Sequence, residues 1–125
     1  MENNHYIEQR PWGQYEILKV FSVKDENGQD VCVKQHTIKP RGSFSYQAHK
    51  FRSEYWIFVQ GQGKVILDSE EREVKVGDMV KVPVGTKHRI INGNQEMILI
   101  EVTTGHYDEE DNTRFEDEYG RVKKI

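Results

Sequence analysis

The feature that most constrains this chain is its period. Apolar and polar residues alternate nearly everywhere before residue 105, and no segment there sustains the 3.6-residue period of a helix. Runs rich in β-branched and aromatic residues cover 15–21, 31–38, 55–59, 64–67, 73–76, 79–82, 88–91 and 97–103. Turn formers separate them: Asn27-Gly28, Gly61 and Gly63, Asp68-Ser69, Gly77-Asp78, Pro83 with Gly85, and Asn92-Gly93-Asn94. Short strands at this spacing predict an all-β antiparallel sandwich or barrel.

Length and composition narrow the class. A chain of 125 residues is one domain, 1–125, read as an N-terminal segment 1–14, a barrel 15–104 and a C-terminal arm 105–125. No apolar run approaches the ~18–20 residues of a membrane helix, and the first residues lack the pattern of a secretory signal. The lone Cys32 cannot build a disulfide framework; it sits in an alternating strand and reads as a small core residue. Together these predict a cytoplasmic protein with no membrane partner.

Only 35 % of residues are hydrophobic against 31 % charged, so the core should be thin. A thin core predicts support from a homodimer interface or a metal. Trp12 is expected to anchor the N-terminal segment on the barrel or on a partner subunit, and the Arg10–Gly13 stretch is the leading dimer contact.

The net charge of −3 is uneven: the stretch 108–118 carries seven acids and one arginine, which leaves the rest of the chain positive. Its cations are scattered rather than striped, which excludes a nucleic-acid partner and suits an anionic small molecule.

Four polar residues form a candidate constellation. On an extended segment Gln47 and His49 leave the same face, and Glu54 shares a face with Trp56 and Phe58, which read as core or pocket wall. With His88 they offer two imidazoles, a carboxylate and an amide oxygen. Such a set suits Zn, Fe, Ni or Cu through its imidazoles and extends toward Mn and Mg through its oxygens. Taken singly, each has a plain structural reading, Glu54 for instance as a partner of Arg52.

Spacing raises the set above its members. Gly77-DMVKV-Pro83-Val84-Gly85-TK-His88-RII-Asn92 resembles the second cupin motif in full. Gly42-SFSY-Gln47-Ala48-His49-KFRS-Glu54-YWIFVQ-Gly61 resembles the first, with glutamine near the place of its first histidine. The chain is more narrowly similar to the type II phosphomannose isomerase family, the cupin that also forms the C-terminal part of bifunctional mannose-1-phosphate guanylyltransferases. Arg10-Pro11-Trp12-Gly13-x-Tyr15, Ser45-x-Gln47-x-His49, Arg52-x-Glu54-x-Trp56 and Arg114-Phe115-Glu116-Asp117-x-Tyr119-Gly120-Arg121 carry that likeness. It departs at Lys50, Phe51 and Tyr55, where the family has histidines.

The resemblance implies a cupin double-stranded β-helix (a jelly-roll barrel) with an ordered C-terminal arm near the site. It also implies a divalent ion, Zn first with Mn, Co, Ni or Fe as alternatives, held by Gln47, His49, Glu54 and His88. The implied activity is isomerisation of mannose 6-phosphate to fructose 6-phosphate through an enediol. Arg52, Lys50 and Glu54 are the candidate catalytic groups, the last two as general base. Arg52, Lys87, Arg89 and Arg121 are the candidate binders of the sugar phosphate. Two rival readings stay open: a non-catalytic cupin that binds a sugar or sugar nucleotide, and a different metal-dependent cupin enzyme. An epimerase would need a histidine–carboxylate dyad, and none is visible in the sequence.

Overall fold

A computed structural model describes residues 6–22, 30–50, 52–105 and 113–116, with side chains described except at 21, 22, 30 and 113–116. Every regular element among them is a strand. They are β1 (Tyr6–Arg10), β2 (Gly13–Ser22), β3 (Asp30–Ile38), β4 (Tyr46–Ala48), β5 (Arg52–Gln60) and β6 (Gln62–Leu67). After these come β7 (Glu70–Lys75), β8 (Met79–Val82), β9 (His88–Asn92), β10 (Met97–Gly105) and β11 (Thr113–Glu116). Two sheets form, with orders β1-β2-β3-β10-β5-β8 and β11-β4-β9-β6-β7, and every pairing is antiparallel. The expected jelly-roll barrel is what the alternation builds.

All eight strands read from the sequence are present. The N-terminal segment and the C-terminal arm both contribute strands to the sheets. The N-terminal segment supplies β1, the edge of the larger sheet, and the arm supplies β11, which pairs with β4 and sets Arg114 opposite Gln47. The Asn27-Gly28 hairpin lies outside the described residues. Between β6 and β7, Asp68 (φ 45°) and Ser69 (φ 72°) both take left-handed backbone, the signature of the tight hairpin turn whose twist matches its strands.

Because successive residues face opposite sides of a sheet, β3, β5, β9 and β10 each send alternate side chains inward. Ile38, Trp56, Phe58, Val65, Ile90, Met97 and Leu99 are fully buried and fill one part of the interior. Each contributes about 1.5–3 kcal/mol by leaving water. Cys32 is buried and free, as expected.

The same inward rows then turn polar. Arg52 and Glu54 on β5, Glu101 on β10, and Lys34 and His36 on β3 run diagonally across the larger sheet, all buried. The thin core is therefore thin for a local reason: part of the barrel interior is given to charged groups.

Trp12 resolves to the barrel rather than to a partner subunit. It packs on Phe44 at 4.5 Å and on His36 at 5.5 Å between ring centroids, and it is buried in its own chain. It is therefore spent within the subunit and leaves the expected N-terminal dimer contact without its largest side chain. Among the described residues no helix is long and apolar enough to cross a membrane, which says nothing of strands.

Candidate metal centre

His49 follows β4, Glu54 lies in β5 and His88 opens β9, so three separate stretches deliver one side chain each to the interior. A turn joins them. Gly85 has φ 80°, a conformation that L side chains rarely adopt, and its N–H donates to the His49 carbonyl at 2.9 Å. Thr86 N–H closes the turn on the Pro83 carbonyl at 3.1 Å. Beyond it, Lys87 and Asp68 fix each other twice: Lys87 N–H donates to Asp68 Oδ1 and Asp68 N–H to the Lys87 carbonyl. The glycine and proline of the second motif thus hold the loop that carries His88 against the residue that carries the other imidazole.

Asn92 ends the motif for a similar reason. Its buried Nδ2 lies within 3.1 Å of the carbonyls of Ile38, Lys39 and Gln95, and its Oδ1 accepts from Gly93 N–H.

The ligand atoms of His49, Glu54 and His88 all lie within 4.8 Å of one another, and all three residues are buried. His49 Nε2 is 3.1 Å from Glu54 Oε1 and His88 Nε2 is 3.6 Å from Glu54 Oε2. Ligands at ~2.0–2.2 Å from a shared ion in tetrahedral or octahedral geometry stand about 3.0–3.5 Å apart, close to the two histidine–carboxylate separations here.

The chemistry of the donors fits as well. His88 Nδ1 is 2.9 Å from the Thr86 carbonyl, which can only accept, so Nδ1 carries the proton and Nε2 presents a lone pair. That Nε2 is buried with no hydrogen-bond partner and faces a carboxylate. A lone pair aimed at an anion wants a cation between them.

Electrostatics favours the same forms. Burial alone would raise the Glu54 carboxyl, but His88, the hydrogen bond from His49, and Arg52 together hold it far below the usual carboxylate range. Burial pushes the His88 imidazole down, against the pull of Glu54. An anionic carboxylate and a neutral imidazole are the states that bind metal. Trp56 Nε1–H donates to Glu54 Oε2 at 3.0 Å and fixes its orientation, and Arg52 approaches His49 Nε2 at 3.3 Å and Glu54 Oε1 at 3.8 Å.

The remaining candidates divide. Gln47 is the register partner of His88 across β4 and β9, half-buried, with its Oε1 accepting from Ser45 Oγ at 3.0 Å. Arg52 is buried within the cluster. Lys50 and Lys87 are exposed.

Arg89 does not share the strand face of His88. His88, Ile90 and Asn92 are the buried positions of β9, so Arg89 is carried on the opposite face, where its Nε donates to the Phe44 carbonyl at 2.8 Å. Arg121 and Phe51 lie outside the described residues. Tyr55, where the family has histidine, is on the exposed face of β5.

One group was missed. His36 Nε2 and Glu101 Oε2 are 3.0 Å apart and both side chains are buried, a histidine–carboxylate dyad invisible at a separation of 65 residues. Lys34, opposite Glu101 in the ladder, places its Nζ 4.3 Å from the Tyr15 ring centroid. The available signal was phase: Lys34 and His36 share a strand face with Cys32 and Ile38, so they had to point inward.

Comparison with known proteins agrees with the geometry. Residues 1–117 match the family described as mannose-6-phosphate isomerase C-terminal. Mannose-1-phosphate guanylyltransferase ManC of Salmonella typhimurium is 37 % identical over 115 residues, 90 % of this chain and 22 % of the relative. Alginate biosynthesis protein AlgA of Pseudomonas putida is 37 % identical over 121 residues, 95 % of this chain and 24 % of the relative. The chain thus spans about a quarter of the length of these curated relatives. Among solved structures, KdgF from Halomonas sp. superposes with a TM-score of 0.70 at 18 % identity, covering 88 % of this chain and 94 % of that one, which speaks to the fold. With both cupin motifs converging on His49, Glu54 and His88, and with the family match running over 1–117, this chain belongs to the mannose-6-phosphate isomerase C-terminal family of cupins.

Proposed function

We propose that the protein is a metal-dependent aldose–ketose isomerase that interconverts mannose 6-phosphate and fructose 6-phosphate. The observation that carries this reading is the buried His49–Glu54–His88 group, with an unpartnered imidazole nitrogen aimed at a carboxylate, in a chain of this family.

Gln47, His49, Glu54 and His88 would hold the ion, with zinc favoured by two imidazoles and one carboxylate. When bound, the ion supplies Lewis acidity toward the charge that develops on the sugar oxygens. The chain's own residues do the rest. Trp56 and Thr86 orient Glu54 and His88 through the hydrogen bonds described above, as outer partners of metal ligands do. Arg52 brings a fixed positive charge into the interior beside the ligands, where an anionic substrate needs one. Burial of all three ligands keeps water from competing for the reacting centre.

The test is a coupled assay of mannose 6-phosphate conversion with the protein loaded in turn with Zn, Mn, Co and Ni, alongside His88→Ala. Turnover that depends on metal and is lost in the variant supports the reading. Absence of turnover with every metal, or an epimeric aldose phosphate as product in place of the ketose, refutes it.

A further inference from the structure

An isomerase of this kind needs a group that takes a proton from carbon, and the ligand set does not provide one. Glu54 belongs to the ligand group, and its oxygens are already engaged by His49, Arg52 and Trp56. Lys50 is exposed. Inside the barrel, the larger sheet offers a second carboxylate.

Glu101 points inward from β10, where it stands opposite Trp56 on one side and Lys34 on the other. It is one diagonal step from Glu54, which faces Thr103 in the same ladder. Diagonal neighbours of this kind stand about 7–8 Å apart, so the two carboxylates leave the inward face of the larger sheet side by side. Glu54, Glu101 and His88 are all buried. Yet Glu101 contributes no atom to the His49–Glu54–His88 group.

Glu101 is also held unusually firmly for a group with no ligand to bind. His36 Nε2 fixes its Oε2 at 3.0 Å. His36 is in turn wedged against Trp12, Tyr15 and Phe44, with ring centroids 5.3–6.0 Å away. Burial and the nearby Glu54 would raise the Glu101 carboxyl; His36 and Lys34 more than offset them and keep it ionised. A buried ion pair adds little to stability compared with apolar residues of the same volume, so this one asks for another reason to exist.

We propose that Glu101 is the carboxylate that carries the proton between C2 and C1 of the sugar phosphate, with His36 and Lys34 as the residues that position it. This rests on the isomerase reading above. In the forward direction Glu101 takes the C2 proton of the open-chain aldose. The C2–H electron pair becomes the C1=C2 bond, and the carbonyl π pair moves onto O1. The proton then returns from Glu101 to C1 as the double-bond pair takes it up, while the O2 proton passes to O1 and the C2 carbonyl forms. Nothing is oxidised or reduced overall, and Glu101 ends as it began.

The experiment uses the metal-loaded full chain and Glu101→Gln, which keeps the shape and a hydrogen-bonding partner for His36. Its kcat is expected to fall about 10²–10⁴-fold, with KM within about threefold by the same general-base logic. Metal content and affinity for a sugar-phosphate hydroxamate (an enediolate mimic) should stay at the wild-type level, and deuterium uptake from D2O at C2 should vanish. His36→Gln should lower kcat less and displace the pH–rate profile, which a purely structural role would not do.

If Glu101→Gln does not fold, Glu101→Asp carries the test. It keeps the charge facing His36 and Lys34 but withdraws the carboxylate by one methylene, and kcat should drop at least about tenfold. A variant with kcat within threefold of wild type overturns the assignment. So does a loss of metal and hydroxamate binding in step with kcat, which marks a structural role. An inert wild-type protein instead brings down the isomerase reading itself, and the two failures are told apart by whether wild type turns over.

Discussion

Replacing His88 by leucine should change the stability of the protein in opposite directions with and without metal. In the free protein His88 Nε2 is a buried lone pair facing a carboxylate 3.6 Å away. An unsatisfied buried polar atom costs about 1–3 kcal/mol. Leucine removes it and keeps a side chain of similar bulk against Trp56, whose ring lies 5.5 Å from that of His88. The substitution gives up the hydrogen bond from Nδ1 to the Thr86 carbonyl, a loss of about 0.5–1.5 kcal/mol. The difference favours the variant by about 1 kcal/mol, or roughly 3–5 °C for a domain of this size. Metal reverses the order. At a hundred times its Kd an ion stabilises wild type by about 2.7 kcal/mol, or roughly 8–13 °C, and the variant has lost a ligand. Thermal melts of both proteins, stripped with chelator and then reloaded with Zn, read all four values. A variant that keeps more than half of the wild-type metal shift refutes the ligand assignment. One that melts more than about 5 °C below wild type when stripped refutes the account of the unpartnered nitrogen.

Two further outcomes follow from the same site. Gly85→Ala should cost about 1–2 kcal/mol, because an L residue is strained at φ 80°. A Cβ there meets nothing within 4 Å, so the cost is conformational rather than steric; because the Gly85 N–H holds the His49 carbonyl, metal affinity by titration should weaken alongside the melting temperature, and an unchanged affinity would count against the turn's role. The urea midpoint of metal-free protein should fall as pH drops. His88 has its folded value below the ordinary 6.5, so the folded state binds fewer protons and loses stability as pH falls through that value. Glu54 and Glu101, both lowered from 4.5, add a steeper loss below that pH; a midpoint that rises between pH 7 and 5 would contradict these shifts.

What the sequence disclosed depended on how local each signal was. The strands with clean alternation, such as β3, β5 and β10, were legible because each carries its own inward face, and the turn residues between them set their ends. The strands β1, β4 and β11 were not, because they exist through pairing. β4 is only three residues long, and β11 lies in an acidic stretch without apolar alternation, where only the resemblance implied an ordered arm. His49, Glu54 and His88 were legible through the fixed gaps of two motifs. The facing of Arg89 was legible from phase alone: with His88 inward, its neighbour in the same strand takes the other face. Glu101 and His36 could not be paired from sequence, since only the ladder between β3 and β10 brings them together.

The loop pinned by Gly85 has a kinetic consequence. Its single hydrogen bond to the His49 carbonyl links hairpins far apart in the chain, and that link forms only once the two sheets have closed. Long-range pairings of this sort come late because loop-closure entropy must first be overcome. An ion therefore meets a complete pocket only in the native barrel and has little to grip in a half-formed one. Its stabilisation should fall on the unfolding limb: saturating metal would slow the opening of the barrel and leave the refolding rate nearly unchanged.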